Sequence, residues 1–151
     1  MQNTHIAIDH FCNGKNCAQS VLLTFSENLN VDPSLLMNIS CGFGGGIGRL
    51  QKTCGAVTGA FMVLSLFAAK ISDDNELCKE LSGIMIRDFH KEFIAIHGSS
   101  DCINLLGCDL NTDEGQSFLS EHGLSESVCN KCIIDSVRLI ESLQKKYERH
   151  N

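Results

Sequence analysis

Apolar residues along the chain recur with a period near 3.6 rather than 2, so the pattern predicts helices throughout and almost no strand. A helix is expected from about Lys15 to Asn28, with Cys17, Val21, Phe25 and Asn28 on one stripe. Asp32 is placed to cap a short helix that starts at Pro33, the single proline, and runs through Ile39. Glycine then takes over from Gly42 to Gly48, within CGFGGGIGRL. The next long helix is predicted from Thr53 to about Ile71, followed by one from Asn75 to His97 that ends at Gly98. In the latter, Leu77, Leu81, Ile84, Met85 and Phe89 face the core, and Lys79, Arg87 and Lys91 face water. SSDCINLLGCD reads as a short helix capped by Ser100 or Asp101, and another short helix spans Asp113 to His122. The last helix starts at Ser125 and carries Cys129, Cys132, Ile133, Ser136, Ile140, Leu143 and Tyr147 at helical spacing. The expected architecture is all-α: one domain over residues 1–151, a helical bundle with a buried central helix and short connecting helices.

The helix from Thr53 is the natural centre of that bundle. Cys54 to Ala69 carry no charge, yet the run is shorter than the roughly 20 residues a bilayer requires, and Lys52 and Lys70 bracket it. A buried helix is therefore expected rather than a membrane span. Gly55, Ala56, Gly59 and Ala60 would let neighbouring backbones approach closely.

Charge and composition narrow the function. The formal net charge of −6, from 12 Lys and Arg against 18 Asp and Glu, offers no basic field for a phosphate backbone, so nucleic-acid binding is disfavoured. MQNTHIAIDH lacks the basic start and apolar run of a secretory signal, and a cytosolic location is expected. In that compartment disulfides are seldom structural, so nine cysteines point to chemistry, although about half are expected to be small buried hydrophobes.

Four of the nine lie near predicted helix starts. Cys54 follows Thr53, Cys102 follows Asp101, Cys129 falls in the first turn after Ser125, and Cys17 falls just after Asn13 to Asn16. Unpaired amide N–H groups and the positive end of the helix dipole favour a thiolate at such a place. Cys54 is the strongest candidate, because Arg49 and Lys52 lie just upstream and Gly55 and Ala56 leave its sulfur accessible. The same small residues are equally suited to tight helix packing alone. Cys12, Cys41, Cys78 and Cys108 are assigned mainly to packing.

Cys129 and Cys132 form a CxxC pair on one helix face. Ile133 follows where the c-type haem signature CxxCH needs histidine, so no haem c is expected. A second CxxC is absent, which disfavours a zinc ribbon, but cysteines from separate helices can still converge on a metal or an iron–sulfur cluster. The glycine loop is neither GxGxxG nor a P-loop, and the lack of Glu-x-x-His removes a ferritin-like di-iron site. His90 and His97 read as a partly exposed packing residue and a helix-terminal residue favoured by the dipole.

Taken together, NCAQSVL, GFGGGIG, CGAVTGA, DCINLLG and VCNKCIIDS resemble, in order and over nearly the whole chain, the C_GCAxxG_C_C family of redox-active proteins. The resemblance implies an all-helical domain in which Cys17, Cys54, Cys102 and Cys129 serve as redox residues or metal ligands, with Cys132 competing for the fourth place. A related domain in split-Soret cytochrome c carries haem and an iron–sulfur centre, but the haem-attachment sites are missing here. The leading expectation is a cytosolic protein whose four cysteines cycle as thiol and disulfide or hold an iron–sulfur cluster for electron transfer. The alternative is a zinc-type soft-metal module in which Cys17, Cys54, Cys102, Cys129 and Cys132 supply the ligands. Gly44, Gly45, Gly46 and Gly48 are expected to border the cofactor position, beside the helix start at Cys54. The partners considered are an unidentified redox protein and a second copy of the chain.

Overall fold

The computed structural model describes residues 2–149. Helix α1 spans Gln2–Cys12, α2 Cys17–Thr24, α3 Ser26–Leu29 and α4 Pro33–Ile39. After the glycine loop come α5 at Gly55–Ile71 and α6 at Asn75–His97. The chain then forms α7 at Cys102–Leu106, α8 at Asp113–Glu121 and α9 at Asn130–Glu148. No strand occurs among the described residues, only an isolated antiparallel bridge between Thr53 and Asp101. The chain is an all-α bundle, as its periodicity predicts.

Helix α5 lies at its centre, packed against α2, α6 and α9. Everything from Gly55 to Ala60 is buried, and so are Val63, Leu64, Phe67 and Ala68. The small residues explain how closely α2 approaches. A methyl group at Gly59 would stand 2.8 Å from the Ala18 carbonyl oxygen, and one at Gly55 would stand 2.9 Å from that of Phe43 and 3.1 Å from Cys17 Cβ. No helix among the described residues is long and apolar enough to cross a membrane.

Local chemistry sets several boundaries away from the predicted ones. The single helix expected from Lys15 to Asn28 is two. Its first part starts at Cys17 under a capping box, in which Asn16 Oδ1 accepts the Gln19 N–H at 2.8 Å and Gln19 Oε1 accepts the Asn16 N–H at 3.0 Å. It breaks at Phe25, so Asn28, expected on the apolar stripe, is exposed. Helix α5 starts two residues after Thr53, which makes Cys54 itself the N-cap. In α6, Leu77 is exposed rather than buried, because the helix first reaches the core at Leu81 and buries residues fully only from Met85. A π turn at Ser125–Cys129 precedes α9. Helix α1 has no counterpart in the pattern. It buries only Thr4 and Ala7, too thin a stripe to register, and is tied down where Asn3 donates to Glu141 Oε1 at 2.8 Å.

Candidate functional site

The site is assembled by a short backbone pairing. Residues 51–54 run antiparallel to residues 100–103: the Cys54 N–H donates to Ser100 O at 2.7 Å, the Cys102 N–H to Lys52 O at 2.7 Å, and the Ile103 N–H to Gln51 O at 3.1 Å. Cys54, the N-cap of α5, and Cys102, the first residue of α7, are thereby brought side by side. Gln51 is 3% exposed and fixes the next segment, donating from Nε2 to Cys108 O at 2.9 Å and accepting the Leu110 N–H at 2.8 Å. The glycine loop closes on this pairing. Gly45, Gly46, Ile47, Gly48 and Arg49 all have positive φ, a left-handed turn that L residues resist. At Gly46 (φ 66°) a Cβ would fall 2.6 Å from Cys102 Cβ, so only glycine fits.

A cavity of about 270 Å³, partly open to solvent, lies at this end of the bundle. Cys17, Cys54, Cys102, Cys129 and Cys132 all line it, with four leucines, Phe11 and Val128 as apolar wall and Arg49 as its charged member. Gly45 and Gly46 also line it, whereas Gly44 packs on Asn16 and Gly48 lies near Gly42 O. Residues from four helix starts and one helix turn thus meet in one place.

The sulfurs fall into two contacts. Cys54 interacts electrostatically with Cys132 and Cys17 with Cys129, each pair sharing a proton between its sulfurs. That contact with Cys132 is the main reason the Cys54 pKa is lowered; the Ala56 and Val57 amides at the start of α5 add to it, and burial opposes it. Neither amide forms a short capping bond to the sulfur, so their help is that of nearby dipoles. Cys129 is lowered in the same way, by the proton Cys17 offers it. The two donors move oppositely. Cys132 and Cys17 are raised, each first by its partner sulfur and then by burial. Cys102 belongs to neither contact, and burial, reinforced by the charges on Cys54 and Cys129, pushes its thiol up to about 12.

The other cysteines separate differently from the expectation of packing. Cys12 and Cys41 are exposed, since both sit at helix ends that face solvent. Cys78 is partly buried and donates to Ser72 O at 2.8 Å. Cys108 is half-buried at the margin of the Cys102 cluster.

No group of three or more His, Cys, Asp or Glu side chains among the described residues is arranged to hold a metal ion. The five thiols stand as two pairs and a single, which does not fit a zinc or cluster ligand set in this conformation.

One neighbour of the site has no sequence signal beyond its place at a helix terminus. His97, at the end of α6, stacks on Phe93 with ring centroids 4.3 Å apart, and its Nδ1 lies 4.0 Å from Cys132 Sγ. Its Nε2 lies 3.1 Å from Asp135 Oδ2. Sequence spacing joins His97 to His90, on its own helix, and gives no sign that α9 brings a thiol against it. His90 has a separate role, with Nε2 3.0 Å from Ser100 Oγ, behind the backbone pairing.

A family model with the description "Putative redox-active protein (C_GCAxxG_C_C)" matches residues 15–143. An uncharacterized protein of Archaeoglobus fulgidus is 30% identical over 98 residues, which is 60% of this chain; the match spans 65% of that relative's length, a little under two thirds. No solved structure matches. The matched stretch contains all five cavity cysteines and the glycine loop that closes on them, and the chain belongs to the C_GCAxxG_C_C family.

Proposed function

We propose that the chain is a dithiol–disulfide redox protein in which Cys54 is the attacking thiolate and Cys132 the resolving thiol. The observation that carries this reading is that Cys54, the N-cap of α5, and Cys132 line one cavity, and the lowering of Cys54 by Cys132 agrees with it. The Cys54 thiolate attacks one sulfur of a small organic disulfide, RSSR, breaking its S–S bond and releasing RS⁻. Cys132 then gives up its proton and attacks Cys54 Sγ, expelling the second RS⁻. Both leaving groups take up protons. The protein loses two electrons and the Cys132 proton to become a Cys54–Cys132 disulfide, and that proton with one from solvent turns the two RS⁻ into two RSH. Cys17 and Cys129 form a second dithiol of the same design, and Cys102 stays a protonated thiol beside them.

Equilibration with dithiol–disulfide buffers of graded potential, followed by alkylation of the remaining thiols, tests the proposal. Two two-electron steps are expected, one for each dithiol; alkylation assigns to Cys54 and Cys132 the step that disappears in Cys54→Ser and Cys132→Ser, while both steps persist in Cys78→Ser. Anaerobically purified protein with iron, sulfide and charge-transfer bands, or with stoichiometric zinc, would overturn it in favour of a cluster or a metal-binding module.

A further inference from the structure

In the dithiol exchange proposed for Cys54 and Cys132, on which a role for any further residue rests, the resolving thiol must lose its proton before it can attack. Cys132 is 1% exposed, so water has little access to that proton, and some group must take it. Besides Cys54, the charges of Cys129 and Lys131 act on its sulfur, and the base nearest to it is His97, with Nδ1 4.0 Å away. The ring is held in place by its stack on Phe93, and its far nitrogen faces a carboxylate.

We propose that His97 is the proton acceptor for the Cys132 thiol in the second step, with Asp135 holding the imidazolium that results. The geometry is that of a base oriented by a third group. His97 Nε2 is buried and makes no aligned hydrogen bond, although Asp135 Oδ2 is 3.1 Å away. Such a contact tightens when the ring gains charge, and catalytic hydrogen bonds are often long before the reaction. Asp135 is shared on the solvent side with Lys131 at 2.8 Å and Arg138 at 3.6 Å. Burial first and Lys131 second hold the resting His97 below its ordinary pKa, so it waits as a neutral base.

The order of steps comes from the same contacts. While Cys54 is a thiolate, its hydrogen bond and its charge both hold the proton on Cys132. Once Cys54 is consumed in a mixed disulfide, both causes vanish, leaving burial and the charge on Cys129 to hold the proton and Lys131 to favour its loss. Proton transfer to His97 is therefore eased at the stage when there is a disulfide to attack. The proton moves from Cys132 Sγ to His97 Nδ1, the new S–S bond expels RS⁻, and His97 returns the proton to RS⁻ as RSH.

The experiment mixes reduced full-length protein with hydroxyethyl disulfide, quenches with acid at short times, and quantifies two species by peptide mass mapping: the Cys54 mixed disulfide and the Cys54–Cys132 disulfide. In His97→Gln the first species should form at the wild-type rate, while its conversion slows on the order of tenfold or more. Asp135→Asn should slow conversion less and keep the first step intact. In the unsubstituted protein, conversion should rise with pH to a plateau, with its midpoint below about pH 6.5, a profile lost in His97→Gln and independent of whether the variant folds less well. Equal conversion rates in all three proteins, or a wild-type profile without that inflection, overturn the role of His97 alone. Absence of any Cys54–Cys132 disulfide in the unsubstituted protein overturns the dithiol reading and the role of His97 with it.

Discussion

Cys54 and Cys102 lie side by side at adjacent helix starts, yet their thiols are displaced in opposite directions. A helix N-terminus alone therefore does not make a thiolate. Cys54 has a thiol donor and two amides aimed at it, while the main influence on Cys102 is burial, offset only in part by the Gln51 amide. Removing the donor should show this. Cys132→Ala should raise the Cys54 pKa and slow its alkylation by iodoacetamide at neutral pH, whereas Cys132→Ser, which keeps a donor, should slow it less. Peptide-resolved labelling rates check the order. The helix start at Cys54 is legible in TCGA, from the small residues around one thiol. Its partner is not legible, because Cys132 reads as a neighbour of Cys129 in CxxC and only the packing of α9 on α5 brings it to Cys54. His97 is hidden for the same reason.

Among the elements, the approach of α2 to α5 decides whether the site exists. The two uses open to the small residues, clearing room for a thiol and allowing tight packing, turn out to be one: the absence of side chains at Gly55 and Gly59 lets α2 carry Cys17 to the cavity. Gly→Ala in a helix ordinarily gains up to about 1 kcal/mol in propensity, while overpacking against backbone costs about 1–3 kcal/mol. At Gly59, where the new methyl meets the Ala18 carbonyl at 2.8 Å, the clash should win. Gly59→Ala should therefore lower the urea midpoint. Gly83→Ala in α6, whose nearest neighbour is the flexible end of Arg87 at 3.2 Å, should raise it. Most helices are legible from the 3.6 period and their caps, α4 and α6 to within a residue. Helix α1 and the break at Phe25 are not, since a thin stripe and a continuous apolar run carry no local signal.

For the whole molecule, the buried thiols make stability depend on pH. Cys102 titrates at about 12 against an ordinary 9.0, and Cys17 and Cys132 are raised in the same sense. The folded chain thus keeps protons that the unfolded chain releases. Their contribution is fully present below the unfolded value and is lost as pH rises through the folded one. Denaturant midpoints should fall between about pH 9 and about pH 12, and Cys102→Ala should flatten the slope. Cys54 and Cys129, being lowered, act oppositely: their contribution is present above the unfolded value and lost as pH falls through the folded one. His97 adds an acid limb, because its lowered pKa makes stability decline as pH drops below about 6.5.

The proposed chemistry depends on the sulfurs reacting in the pairs in which they touch. The direct measurement is a disulfide map of the anaerobically purified, fully reduced chain after oxidation by two equivalents of a small disulfide. Peptides joined as Cys54–Cys132 and Cys17–Cys129, with Cys102 left as a free thiol, are the predicted result. Cys129–Cys132 linkage within the CxxC, or a chain whose cavity thiols resist oxidation because a metal occupies them, would contradict it.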